Sequence, residues 1–538
     1  MKLSANGLSN AQAWQAAGIS LPGFDWRAMC DATQAAPVWV HFGAGNIFRG
    51  FIAALQQRLL DQGLEKSGIV AAETFDYDII DKIYAPHDSM TLMVSLLPDG
   101  GTRKEVIASI AQGIKANSAD QQQWAALCAI FEKPSLQMAS FTITEKGYAL
   151  RDMKGELMGV VKQDMEDGPA KARHAMSVVA ALMLKRFEAG AAPMALVSMD
   201  NCSHNGEKLR QSVLEIAHAW LEKGHVPAGF IAYLEDEQRV SFPWSMIDKI
   251  TPRPSEIIEK QLAQLGVEDM APVVTSRNTY IAPFVNAEAP QYLVVEDRFP
   301  NGRPALEKAG VYMTDRETVN MTERMKVTTC LNPLHTAMSI YGCMLGYTLI
   351  SAEMADEDLR PFVQKLGYIE AMPVVTDPGV LNPYEFIGAV INRRLPNPFM
   401  PDAPQRIATD TSQKLPIRFG ETIKKYLARG LDKSNLVLIP LTLAGYARYL
   451  KGIKDDGTPF EPSSDPLLSE LQAIVAPLQI GKPDQDWSCL KQLYSRADVF
   501  GVNLYDAGLG EQIEGMVKEL YAGNGAVRKT LHKYVAAR

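Results

Sequence analysis

The feature that most limits what this chain can become is a short apolar run that ends in a glycine turn and reopens as a helix. Pro37-Val-Trp-Val-His-Phe42 reads as a buried strand and Gly43-Ala-Gly45-Asn-Ile-Phe-Arg49-Gly50 as the turn. Ile47, Phe51, Leu55 and Leu59 then recur every four residues as one helical face, which Gly63 closes as the residue after the cap. In that setting a Gly-x-Gly turn lets backbone approach a ligand closely, and the helix start behind it favours a pyrophosphate. Phe48 stands where the G-x-G-x-x-G pattern has its third glycine, so a turn that merely packs a strand on a helix is the competing reading. The next strand-like run, Gly68-Ile-Val-Ala-Ala-Glu73, ends in an acid. An acid there accepts hydrogen bonds from a ribose diol and repels a 2′-phosphate, which favours NAD over NADP. Glu73 is the first choice for that acid, with Asp76 and Asp78 as close rivals.

A chain of 538 residues with 47% hydrophobic content can bury more than one core, since single cores stop growing near ~250–300 residues. Two domains are expected. The net charge of −8 argues against a nucleic-acid surface, which needs a basic patch. The first residues are too polar for a signal-peptide core, and no apolar run is long enough to span a bilayer. The expectation is a soluble, cytoplasmic protein with no membrane partner. Cys30, Cys128, Cys202, Cys330, Cys343 and Cys489 form no C-x-x-C pair and read as free thiols. The histidines form no zinc-binding pattern, so no metal is expected.

The densest chemistry lies in Glu323-Arg-Met-Lys-Val-Thr-Thr-Cys-Leu-Asn-Pro-Leu-His335, which runs into an apolar helix. Asn332 before Pro333 reads as an N-cap with proline at the first helical position. His335 then falls in the first turn, where the helix dipole disfavours an imidazolium and favours developing negative charge. A lysine, an amide and a neutral imidazole so placed suit a carbonyl that becomes an alkoxide. Upstream, the strand-like runs 137–144 and 195–199 end in Glu145-Lys-Gly-Tyr148 and Asp200-Asn201-Cys-Ser-His-Asn205-Gly206. Ligands in open α/β sheets collect outside such strand ends. Residues 170–189 read as an amphipathic helix, and 241–254 as a proline-bounded loop carrying Asp248. Strand-like runs at 292–296 and 310–313 come last. Beyond Asn320 the pattern is mostly helical, with 451–486 read as loop or linker.

These pieces together resemble the polyol-specific long-chain dehydrogenase/reductase, or mannitol dehydrogenase, family. The resemblance runs from about Val38 to about Ala447 and rests on Gly43-Ala-Gly-Asn-Ile-Phe-Arg-Gly50, Thr144-Glu-Lys-Gly-Tyr148, Asp200-Asn201 with Asn205-Gly206, Asp248-Lys-Ile-Thr-Pro252 and the Lys326, Asn332, His335 set. It implies an α/β fold, with a Rossmann-like NAD-binding domain over residues 1–318 and a mostly helical substrate domain over 319–538. It implies a metal-independent oxidoreductase in which Lys326 gives and takes the proton, Asn201, Asn332 and His335 hold the oxygen, and Glu145 and Glu323 communicate with solvent. Asp248, Arg394, Arg406 and Lys414 carry over as substrate-binding residues. Gly43, Gly45, Asn46, Ile47, Phe48 and Arg49 carry over with Glu73 and Asp76 as cofactor-binding residues. A free lysine with a pKa near ~10.4 is a poor base at neutral pH, so burial must lower it. One departure stands out: Asn332 is six residues after Lys326, where the family pattern has five. The extra residue turns Lys326 by roughly 100° on a straight helix, and the site survives only if a π-bulge or the Asn-Pro break absorbs it.

The wording of these motifs is most similar to the bacterial branch acting on D-mannonate. Arg393, Arg394, Arg406 and Lys414 suit a carboxylate, for which arginine offers a planar fork. The resemblance thus implies reduction of D-fructuronate to D-mannonate with NADH. Tagaturonate/altronate, mannitol/fructose and polyol phosphates are the alternatives, and a non-catalytic NAD-binding sensor is the rival of another class. The expected partner is a small sugar acid or polyol, and the expected assembly a monomer or small homo-oligomer.

Overall fold

A computed structural model of the protein describes every residue except Pro98 and Pro401. The chain groups into two compact units, one of Met1–Leu97 with Gly101–Asn320 and the other covering Met321–Arg538.

The first unit is built on six parallel strands: β1 (Trp39–Phe42), β2 (Ile69–Glu73), β3 (Ile110–Lys115), β4 (Met138–Phe141), β5 (Met194–Ser198) and β6 (Val240–Ser241). Their spatial order is β3-β2-β1-β4-β5-β6, that of a doubly wound dinucleotide-binding sheet. Every residue of β1, β2, β4 and β5 is buried, because helices cover both faces of a parallel sheet. Side chains alternate accordingly. Val40, Phe42, Val70 and Phe141 enter one core, while Trp39, Ile69, Ala71 and Met138 enter the other with Phe51 and with Leu55 and Leu59 of α1 (Ala53–Asp61). Gly63 follows α1 at φ +67°, as its place after the cap requires.

Residues 170–189 differ from expectation. The helix there is α2 (Ala175–Glu188), with ten of fourteen residues buried, so it is wrapped by neighbours rather than amphipathic. It packs between the segment Gln121–Glu132 and α3 (Asn205–Glu222). Arg186 near its end directs every guanidinium N–H at a carbonyl: Ala192 and Pro193 at 2.8 Å, Leu136 at 2.8 Å, and Phe131 and Lys133 at 2.9 Å. One buried arginine thereby ties together the segments that lead into β4 and β5. The run 292–296 is a strand and the run 310–313 overlaps one at Tyr312–Thr314, but the two pair in a separate three-stranded sheet with Ser245–Asp248.

The second unit is helical. After α4 (Arg316–Met325), the buried helix α5 (Asn332–Leu345) packs against α6 (Leu438–Tyr449). Gly445 leaves room for the Tyr341 ring, whose hydroxyl donates to Leu441 O at 2.8 Å. The stretch 451–486, expected as loop, contains the helix Leu468–Val475, whose Leu471, Ile474 and Val475 are buried. Wide, π-type turns recur through the protein, at Phe48–Ile52, Ile80–Tyr84, Lys326–Cys330, Leu366–Ala371, Val390–Arg394 and Pro416–Gly420. Such turns each insert a residue into a helix and concentrate at functional sites. Among the described residues no helix is long and apolar enough to cross a membrane.

Arg186→Met removes all five donors and strands their carbonyls inside the protein. It is expected to lower stability by roughly 3 kcal/mol or more, read as the shift in the urea midpoint, and Arg186→Lys to recover only part of the loss.

Candidate active site

At the end of β1 the chain turns at Gly43, whose φ is +99° and whose added Cβ would lie 2.3 Å from Thr142 O. No other residue type fits there. A Cβ at Gly45 would meet nothing within 4 Å, so this glycine leaves one side of the turn open. Arg49 N–H to Gly45 O, at 3.1 Å, is the first bond of the helix, and the amides before it are available to an anion. Gly45, Asn46 and Ile47 are half-buried at this surface. The side chains of Phe48 and Arg49 turn inward. The Phe48 ring stacks on buried His41 at 4.1 Å. Arg49 is buried and donates to Asn46 Oδ1 at 2.9 Å, Thr91 Oγ1 at 3.0 Å and Ala282 O at 2.8 Å. The first can serve a cofactor only through its backbone, and the second by orienting Asn46.

The three acids beyond β2 are all engaged. Glu73 Oε2 accepts Ala44 N–H at 2.8 Å, and Oε1 accepts the amides of Thr74, Phe75 and Asp76 at 3.0, 2.8 and 3.2 Å. Burial raises its pKa while these bonds oppose the rise. Asp76 Oδ2 accepts the hydroxyls of Thr275 (2.7 Å) and Thr279, leaving Oδ1 without a partner. Asp78 pairs with Lys82 at 2.9 Å and accepts Ser276 N–H at 2.8 Å. The turn, its open side and the acids beyond β2 fit a dinucleotide.

Sheet order reverses between β1 and β4, and ligand crevices open at such points. Here Asp200, after β5, accepts the amides of Ile143 and Thr144 at 2.8 and 3.0 Å and the Tyr148 hydroxyl at 2.6 Å. Thr144 sits at φ +64°. Glu145 is exposed and paired with Lys208, and Asn201 is exposed beside Asp200. Asn205 donates to the carbonyls of Asp200 and Ser245, both at 3.0 Å. It thereby joins this loop to the strand ending in buried Asp248. The loop that carries Asn201 is thus tied through Asp200 to the segment that carries Glu145, and through Asn205 to the start of the strand that Asp248 ends.

In the second unit, Lys326 is 2% exposed and opens the wide turn Lys326–Cys330. Leu331 N–H closes that turn on Lys326 O at 3.1 Å, and Thr422 Oγ1 donates to Thr328 O at 3.3 Å. A π-turn therefore occupies the place where the extra residue stands. Asn332 is not the N-cap expected of it. It is the first residue of α5, Pro333 the second, and Leu331 (φ −133°, ψ −63°) precedes them with no side-chain cap. The wide turn hands the chain directly to α5, so the Asn332 amide is not spent on capping. His335 N–H reaches back to Leu331 O at 3.2 Å. The imidazole pKa is lowered to about 4, first by burial, then by Arg394, Arg418 and Arg406 against the opposing charge of Asp402.

The nominated cations separate. Arg394 is buried at the end of its wide turn, whereas Arg393 is exposed. Arg406 is exposed and paired with Asp402. Lys414 donates to Ile407 O at 3.0 Å and to Thr409 O, and its pKa falls to about 8, chiefly by burial and then by Arg418. Arg418, not among the residues expected from sequence, donates to Thr336 Oγ1 and to Asn332 O at 3.4 Å. Its spacing of four residues from Lys414, one helical turn, is the signal that could have marked it. Among the described residues no group of three His, Cys, Asp or Glu side chains could hold a metal ion.

A parallel sheet in this order, with a glycine turn on its first strand and a helical unit bearing a buried lysine and a half-buried asparagine and histidine, defines a two-unit dehydrogenase. The chain belongs to the mannitol dehydrogenase family: residues 38–308 match the mannitol dehydrogenase Rossmann domain and residues 318–521 the mannitol dehydrogenase C-terminal domain. It is 52% identical over 538 residues to a D-mannonate oxidoreductase of Thermotoga maritima, covering 99% of each chain. It is 29% identical over 468 residues to a polyol:NADP oxidoreductase of Gluconobacter oxydans, covering 86% of this chain and 88% of that one. Pseudomonas fluorescens mannitol 2-dehydrogenase, solved as a ternary complex with NAD and D-mannitol, superposes with a TM-score of 0.71 at 25% identity, covering 100% of both chains.

Gly43→Ala is expected to cost about 1–3 kcal/mol of stability from backbone strain. Gly45→Ala should leave the melting temperature in place and weaken NADH binding, read by nucleotide fluorescence. Because the folded pKa of His335 is depressed to about 4, its contribution to stability is complete above its unfolded value of ~6.5 and is lost as pH falls toward 4. The urea midpoint should drop across that window, less so in His335→Gln, and kcat/KM should show no histidine limb near neutrality.

Proposed function

We propose that this protein interconverts D-fructuronate and D-mannonate with NAD(H), without a metal. The observation that carries the reading is the 52% identity, over 99% of both chains, to a D-mannonate oxidoreductase. Residues 1–318 form the cofactor domain and 319–538 the substrate domain, with a small sugar acid as the ligand. Glu73 and Asp76, backed by Asp78, favour NAD over NADP by placing negative charge where a 2′-phosphate would lie. Gly43, Gly45, Asn46 and Ile47 supply the turn, and Arg49 holds Asn46 in place. The net charge of −8 speaks against a nucleic-acid partner, and the free cysteines fit a reducing cytoplasm. The assembly is a monomer or small homo-oligomer.

Bound nicotinamide supplies or accepts the hydride. Reduction leaves charge on the carbonyl oxygen, which Lys326 protonates, and in oxidation Lys326 takes the hydroxyl proton. The Asn332 amide and neutral His335 donate to that oxygen, and Asn201 assists them. Glu323 lies in the last turn of α4, three residues before Lys326, and is half-buried, so it passes the proton toward solvent. Glu145, exposed at its strand end, is assigned to the same proton path. Asp248 orients substrate hydroxyls, and Arg394, Arg406 and Lys414 supply positive charge for the acid.

The test is turnover followed by NADH absorbance across D-fructuronate, D-mannonate, D-altronate, D-mannitol, D-fructose and D-fructose 6-phosphate. D-mannonate should give the highest kcat/KM of the oxidised substrates, and a higher efficiency on fructose or fructose 6-phosphate than on fructuronate would overturn the assignment. Lys326→Ala should lose about 100- to 10,000-fold in kcat at saturating substrate. Near-normal turnover in that variant would remove lysine from the proton-transfer role.

A further inference from the structure

We infer that Arg418 is the residue that receives the substrate carboxylate and separates sugar acids from neutral polyols, an assignment that rests on the reaction proposed above. The wide turn Pro416–Gly420 packs against the start of α5 and against Lys326–Cys330. From it, Arg418 Nη1 reaches Asn332 O and Thr336 Oγ1, in the same helical turn that carries His335. The guanidinium is therefore anchored to the segment that presents the reacting oxygen to its amide and imidazole.

What distinguishes this arginine is its missing counter-ion. Among the described residues no carboxylate lies within ion-pair distance of Arg418, whereas Arg406 is paired with Asp402, Arg316 with Glu296, and Arg528 with Asp356 and Asp358. Burial pushes its pKa down to about 10. A half-buried cation that nothing in the protein neutralises carries a desolvation cost, which an anionic ligand would offset. Only Nη1 is engaged. Nε and Nη2 make no hydrogen bond, and neither is sealed from solvent among the buried unpaired atoms. That edge is the one with which arginine grips a carboxylate in two parallel bonds.

The neighbouring cations are less free to do so. Arg406 shares its charge with Asp402, and Lys414 spends its hydrogens on the carbonyls of Ile407 and Thr409. Arg418 is among the charges that act on His335, together with Arg394, Arg406 and Asp402.

The experiment compares wild type, Arg418→Met and Arg418→Lys in oxidation of D-mannonate and in reduction of D-fructose, with kcat and KM separated and melting temperatures recorded. In the Met variant, KM for D-mannonate should rise about 10- to 150-fold, the equivalent of a hydrogen bond to a charged group. Its kcat should change little, and its efficiency on fructose should hold or improve. The Lys variant keeps charge and bulk without the fork, and should raise KM for D-mannonate by a smaller factor. Should the Met variant fail to fold, the Lys variant decides: a folded Lys variant with wild-type KM for D-mannonate overturns the assignment. Equal losses on the acid and on fructose also overturn it, by showing a merely structural arginine. Wild-type enzyme inactive on D-mannonate ends the proposed reaction instead, whereas wild-type activity with an unchanged KM in Arg418→Met ends only the role of Arg418.

Discussion

The glycine turn keeps its form because one buried carboxylate, Glu73, collects four backbone amides, three from the segment just after its own strand and one from Ala44 across the turn. Among the described residues no cation lies within ion-pair distance of Glu73, so the amides hold the charge. Moving the turn would strand that charge in the interior, which costs more than several ordinary hydrogen bonds. The ends of β1 and β2 are thereby locked to each other. The strained Gly43 and the open face at Gly45 exist because that lock holds.

The same device recurs wherever a loop near the sites needs a fixed shape. Asp200 holds Ile143 and Thr144, and Asp164 holds the amides of Arg173 and His174. In the second unit, Glu370 accepts Val437, Leu438 and Ile439 N–H at 3.0, 2.7 and 2.9 Å, capping α6 from a distant segment. Burial lifts that carboxyl to about 7 against the pull of these amides. Asp455 caps the final helix through Val527 and Arg528 in the same way. The helix starts that carry chemistry are thus left without local caps. Asn332 is the clearest case, because its amide is spared for other work.

Features that depend on neighbours in the chain were legible from sequence. The strand, glycine turn and helix at 37–63 could be read from apolar spacing and two glycines, and the helical character beyond Asn320 from periodicity. The count between Lys326 and Asn332 called for either a π-bulge or a break at Asn332-Pro333 to absorb one surplus residue, and the wide turn Lys326–Cys330 is the first of these. Features set by distant residues were not legible. Nothing near Glu73 or Glu370 shows that its carboxylate will be filled by backbone amides, and nothing near Arg418 shows that its counter-ion will be missing. The inward turn of the Phe48 and Arg49 side chains was hidden for a related reason. Their positions in the motif place them on the turn, but His41, Thr91 and Ala282, which draw their side chains inward, come from other strands and loops.

The wide turn at Lys326–Cys330 also affects how this helix can diverge. A π-bulge is a surplus that the backbone spreads over a whole turn, so the additional residue has no single address between Lys326 and Leu331. Aligned with a relative one residue shorter, the gap could be placed against Val327, Thr328 or Thr329 with the same physical meaning. Gain or loss of one codon in this interval would re-aim the lysine while both flanking helices kept their contacts. Insertion and deletion, more than substitution, are the natural currency of change at this place in the chain.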